Sequence, residues 1–255
     1  MTVAVYHADT SLPAKLRRRL VRLAHRRPAI RSPERPMITF AFDDTPASAV
    51  RVGARLLEAR RVRGTYYFCA GFAGETGHMG EYATREDMLR VAESGHEIGC
   101  HTFSHLDCGK ASGPNTAVDI QRNAETLADW GVSDEIATFA YPYGDVGFPA
   151  KAEVANRFTL SRALHQGVIR RGVDLNQAPA VGIEGPDGEG VASLWIDRAA
   201  ESQSWLILYT HGVESRHSPF GCSEAALARL LDRALERGFE VVTAREGAAR
   251  VGGAA

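Results

Sequence analysis

Met37-Ile38-Thr39-Phe40-Ala41-Phe42-Asp43-Asp44-Thr45-Pro46 decides how this chain is read: six apolar or β-branched residues, then two acids, then a turn signal. A short run without polar alternation marks a strand buried on both faces, as in parallel sheets. The same grammar returns on either side. Thr65-Tyr66-Tyr67-Phe68-Cys69, Glu97-Ile98-Gly99-Cys100, Thr138-Phe139-Ala140-Tyr141 and Trp205-Leu206-Ile207-Leu208-Tyr209 are further such runs, with shorter extended stretches at 158–164, 180–183 and 239–243. Helical patterns lie between them: 47–60, then 84–94, opened by the capping box Thr84-Arg85-Glu86-Asp87 and stopped by Gly95. Others reach Trp130, cover 150–156 and 195–203, or start at the cap Ser223 and run to Arg237. Strands alternating with helices predict a parallel sheet, open or closed into a barrel.

With 255 residues, the chain can bury the core of one domain. Its 30 basic and 31 acidic residues leave a net charge of -1, which gives no electrostatic case for a nucleic-acid partner. Cys69, Cys100, Cys108 and Cys222 form no Cys-x2-Cys pair and read as reduced, buried thiols. With no apolar leader after the first charges, the expected location is the cytoplasm. No stretch approaches the roughly 20 apolar residues that span a bilayer. The uneven part is the start, where Arg17, Arg18, Arg19, Arg22, Arg26, Arg27, Arg31 and Arg35 crowd together. Residues 1–35 read as a basic extension before a single domain at 36–255. Leu16, Leu20 and Leu23 at helical spacing leave two kinds of reading of that extension: a solvated face or a helix packed over one end of the domain, or a basic amphipathic helix in peripheral contact with a membrane surface or an acidic partner.

Polar clusters follow four of the strands: Asp43-Asp44, His101 with His105, Tyr143, and His211. In parallel α/β folds the C-terminal strand ends open onto one face, where active sites assemble. Two histidines four apart lie about one helical turn from each other, so a loop-to-helix transition could aim both rings at one ion. A carboxylate added to two imidazoles makes a three-donor set suited to Zn²⁺ or a similar first-row ion, with room left for water and substrate. Adjacent aspartates can then divide the work, one holding the metal and the other taking a proton. Taken alone, Asp43-Asp44-Thr45-Pro46 reads first as a turn with helix-capping carboxylates.

Phe42-Asp43-Asp44, His101-Thr102-x-x-His105, Tyr141-Pro142-Tyr143-Gly144 and Leu208-Tyr209-Thr210-His211-Gly212 together resemble the motifs of the polysaccharide deacetylases, the NodB-homology or carbohydrate esterase 4 group. The resemblance runs from about Met37 to Ala244 and implies a distorted (β/α)7-type barrel with its active site at the C-terminal strand ends. It implies Asp43 as general base, Asp44, His101 and His105 as ligands of a divalent metal, the Tyr143 backbone N–H as oxyanion donor, and His211 as general acid. Zn²⁺ is the first choice of metal, with Co²⁺, Ni²⁺ and Mn²⁺ as alternatives. The implied reaction is hydrolysis of an acetamido group on an N-acetylated glycan or glycoconjugate, by attack of a metal-activated water. Thr102 is expected to orient the histidines.

Three positions depart from the family pattern. Thr45 stands where a glycine is usual, and Ala140 where an arginine normally orients the base; Arg162 on the next strand is expected to reach the same carboxylate. The Asp-rich fourth motif is missing, and Asp174 is either a loose replacement or a loop cap. The 217–221 loop reads as a surface turn or as a wall of the pocket. Two other functions stay open: a same-fold amidohydrolase for a small non-sugar amide, and an inactive sugar-binding domain.

Overall fold

A computed structural model describes residues 11–132, 135–215 and 218–252. In chain order the elements are α1 (Leu12–Val21), β1 (Met37–Asp43), α2 (Ala54–Ala59), β2 (Thr65–Phe68), β3 (Thr76–Gly77), β4 (Gly80–Glu81), α3 (Arg85–Glu93), β5 (Glu97–Cys100) and α4 (Gly113–Trp130). There follow β6 (Thr138–Ala140), α5 (Phe148–Ala155), β7 (Leu160–Arg162), β8 (Val181–Gly182), α6 (Gly188–Glu201), β9 (Trp205–Thr210), α7 (Glu224–Glu236), β10 (Glu240–Val241) and α8 (Ala244–Gly252).

The main sheet is wholly parallel, in the order β7-β6-β5-β2-β1-β9-β8, and β10 pairs with the start of β1. It curls into the distorted barrel. The segment just before β8 bridges the two edges: Ala178 exchanges backbone hydrogen bonds with Ser161 and Ala163 beside β7, while Val181 and Gly182 pair with β9.

β1 shows why a continuous apolar run was required. Every one of its residues is buried. Ile38, Phe40 and Phe42 pack outward in the cluster shared with the surrounding helices, whereas Met37 and Ala41 belong to a second cluster with Tyr67, Ala140, Ile207 and Tyr209 that fills the barrel. Period-two alternation therefore puts Asp43 on the same inward side as Ala41. Gly99 leaves room for the Tyr67 ring, which would lie 2.5 Å from a Cβ built there.

Several boundaries differ from expectation. The helix expected at 195–203 begins at Gly188, because Ile183 and Gly188 come into close contact and the chain can turn early. The 47–60 helix opens with a wide turn over Ala49–Gly53 before α2. The last strand keeps only Glu240 and Val241, and α8, unanticipated, follows. The capping box is present: Thr84 and Asp87 bond each other's backbone N–H groups at 3.1 and 3.2 Å.

α1 docks on the barrel through its inward face. Ser11 caps it, and Ala14 and Val21 are buried. Arg17 reaches the Gly109 carbonyl and, at 2.9 Å, Asp145, while Lys151 donates to the Val21 carbonyl at 3.1 Å. No helix among the described residues is long and apolar enough to cross a membrane.

Candidate active site

The sequence-selected residues meet at one rim. Register explains it: Phe42 pairs with Thr210, so Asp43 and His211 leave neighbouring strands at the same level, and Ala140 pairs with Arg162 one strand beyond His101. Asp43, Asp44, His101 and Arg162 are all buried.

Three donors converge first. Asp44 Oδ1 lies 3.3 Å from His101 Nε2 and 3.1 Å from His105 Nε2, and the three ligand atoms lie within 4.8 Å of one another. His101 Nδ1 is 2.8 Å from the Ala140 carbonyl; the tautomer that donates there turns its Nε2 lone pair to Asp44. Burial pushes His105 down to about 4, so its ring is neutral. Burial alone would raise the Asp44 carboxyl; His105 and His101, when protonated, would outweigh it and hold it well below the usual range. Asp44 Oδ1 is nonetheless buried without a hydrogen-bond donor. A buried carboxylate oxygen without a donor, facing two imidazole Nε2 atoms, suits a divalent cation.

The His pair converges without a helical turn. Residues 101–112 are irregular, and Thr102 and His105 have φ of 62° and 56°. Thr102 touches no histidine ring; its Oγ1 accepts from Leu106 N at 2.8 Å and pins the loop between the two ligands. Asp119 on α4 holds the same loop, accepting from Phe103 N at 2.9 Å and from Ser104 N and Oγ at 3.0 Å.

Opposite the donors, Arg162 crosses the barrel to Asp43. Its guanidinium lies over the rings of Tyr67 and Tyr209, at 4.8 and 5.0 Å from their centroids. Burial would lower the guanidinium pKa, but the Asp43 charge more than offsets it, and the group stays charged. An arginine thus faces the aspartate from β7, one strand away from Ala140.

His211 Nδ1 is 2.6 Å from Glu184 Oε1 and 3.0 Å from the Phe220 carbonyl. Burial works against its charge, yet Glu184, helped by Asp44 and Asp43, raises it to about 9. Glu184 is the residue that sequence reasoning missed. It lies two residues past the end of β8, so the strand-end pattern that selected Asp43 and His211 also points to it. Asp174, by contrast, is a structural clamp that accepts from Arg27 N at 2.9 Å, Asn176 N at 3.0 Å and Lys151 Nζ at 2.7 Å.

Tyr143 sits at the mouth with φ 58°, its ring centroid 4.3 Å from that of His105 and its side chain 41% exposed. Beside Glu184 and Tyr209 opens a cleft of ≈ 320 Å³, also lined by Leu164, Gln166, Asp187 and Val191. His217 lies outside the described residues; Phe220 of the same loop contacts His211 edge-on at 5.9 Å. All four cysteines are buried and unpaired.

A parallel α/β barrel that gathers Asp44, His101 and His105 beside Asp43 and His211 at its strand ends defines the class. Comparison with known proteins gives the family. The polysaccharide deacetylase family profile matches residues 30–161, and the chain belongs to that family. A chitin disaccharide deacetylase from Vibrio alginolyticus is 28% identical over 90 residues, 34% of this chain and 21% of that relative, so the match spans about a fifth of the relative's length. The chitin deacetylase of the fungal pathogen Colletotrichum lindemuthianum shares the fold with a TM-score of 0.61 at 15% identity, covering 86% of this chain and 90% of that one. A family 4 acetyl xylan esterase from Clostridium thermocellum, solved with a cobalt ion, gives 0.58 at 18% identity, covering 82% and 89%.

Proposed function

We propose that this protein is a metal-dependent hydrolase that removes the acetyl group from an N-acetylated sugar of a polysaccharide or glycoconjugate. The observation that carries the reading is the meeting of three sets at one rim: Asp44 with His101 and His105, Asp43 with Arg162, and His211 with Glu184. Asp44, His101 and His105 would hold the cation, which supplies Lewis-acid polarisation of the acyl carbonyl and lowers the pKa of water. Asp43 takes the proton of the attacking water, while Arg162 fixes its carboxylate in position. His211, protonated against Glu184, gives its proton to the departing amine. The Tyr143 backbone N–H donates to the oxygen where negative charge develops. The cleft beside Glu184 lies on the His211 side and takes the sugar that leaves as the amine.

Acetate release from a panel of N-acetylated glycans and small amides, with and without chelation, tests this. The expected result is release from acetamido sugars, lost on chelation and restored by Zn²⁺ or Co²⁺. Release from small amides alone, or release indifferent to chelation, overturns the proposal.

A further inference from the structure

We infer that α1 is an interfacial anchor that lays the rim of the site against an anionic lipid bilayer. The helix is amphipathic in an unusual sense, since its inward face is small and its outward face is apolar. Ala14 and Val21 meet the barrel, whereas Leu12, Leu16, Leu20 and Leu23 are 80, 58, 46 and 69% exposed. At 100° per residue the four leucines fall within one quadrant. Lys15, Arg19 and Arg22, all exposed, flank that stripe along one edge. An exposed leucine stripe edged by cations matches a negatively charged interface, with acyl boundary for the leucines and headgroup phosphates for the basic residues. That charge complementarity selects a bilayer surface over a second copy of this chain, whose own basic edge would be repelled.

Placement adds a second argument. Arg17, on the inward side, ties α1 to Gly109 and Asp145. Gly109 is on the loop that carries His105, and Asp145 is two residues past Tyr143. The anchor is therefore braced to the mouth of the site, not to the opposite end of the barrel. Docking is read without turnover, so it stands or falls separately from the deacetylase reading.

The test is flotation of the full chain with vesicles of phosphatidylcholine alone or mixed with phosphatidylglycerol, at low and high salt. Binding is expected only to the mixed vesicles, weakening with salt. Arg19→Gln and Arg22→Gln should each reduce partitioning roughly fivefold. Leu16→Glu with Leu23→Glu should abolish it. Because all four positions are exposed, the variants should keep the parent's unfolding midpoint. Should the glutamate pair fail to fold, Leu16→Trp keeps the question open to measurement, its emission shifting to the blue on mixed vesicles only. Absence of binding, equal binding to neutral vesicles, or a leucine-dependent dimer by sedimentation without lipid overturns the inference.

Discussion

The pairing of Arg162 with Asp43 makes two demands of one side chain. It must neutralise a buried acid, and it must do so from β7, between two tyrosine rings. Removing one partner of a buried pair strands the other charge, which typically costs about 3 kcal/mol or more. Arg162→Ala should therefore lower stability by roughly that amount in urea unfolding and abolish acetate release. Adding Asp43→Asn to it should recover stability and not activity; if the double variant is no more stable than Arg162→Ala, the charge argument fails. His211 offers a pH test. Its folded value of about 9 lies above the ordinary histidine value of 6.5, so its contribution to stability is complete below 6.5 and lost as pH rises toward 9. The same titration removes the proton that the leaving amine needs. Glu184→Gln should move the alkaline limb of the rate profile to lower pH and reduce kcat, and an unmoved limb would exclude Glu184 as the partner that keeps His211 charged.

At the scale of elements, the strands were legible and the loops between them only in part. Buried parallel strands announce themselves by unbroken apolar runs, so β1 and β9 were readable, and with them the level of Asp43 and His211. β10 was read at 239–243, longer than the two residues that pair, whereas α8 was missed although Thr243 and Glu246 form a capping box before it, each accepting from the other's backbone N–H, at 3.3 and 2.8 Å. The metal-ligand loop shows the deeper reason. His-x3-His suggested a helical turn, yet the structure spends backbone strain instead. Among the described residues, five of the eight non-glycine residues with left-handed φ are Asp44, Thr45, Thr102, His105 and Tyr143, all at the site. Thr45 holds φ 51° where glycine is usual, and its Oγ1 donates to the Tyr67 carbonyl at 3.1 Å, which helps offset the strain. Such conformations persist only where neighbours over-determine them. Here the neighbour is Asp119, far along α4 and invisible to local pattern. Asp119→Ala should weaken zinc affinity by roughly tenfold or more, measured against a competing chelator, while leaving kcat at saturating metal close to the parent value. An unchanged affinity would mean the loop holds itself.

For the whole molecule, the barrel is closed on one side only by the segment from Ala178 to Gly182, and its interior holds a buried ion pair in place of a purely apolar core. The cation site should therefore act on the fold as well as on the reaction. Asp44 stands at the end of β1, and His101 and His105 on the loop after β5, with β2 between those strands. A cation bound there ties together parts of the sheet that the unfolded chain keeps far apart. An ion that binds the folded state alone stabilises it by ~2.7 kcal/mol at a hundredfold excess over Kd. In a chain of this size each kcal/mol moves the midpoint by roughly 2–4 °C, so Zn²⁺ should raise Tm by roughly 5–11 °C. His105→Ala should lose most of that shift, because it removes a donor. Asp43→Asn should keep it, because Asp43 faces Arg162 and lies outside the donor set. A shift of equal size in His105→Ala would place the stabilising ion somewhere other than between Asp44, His101 and His105.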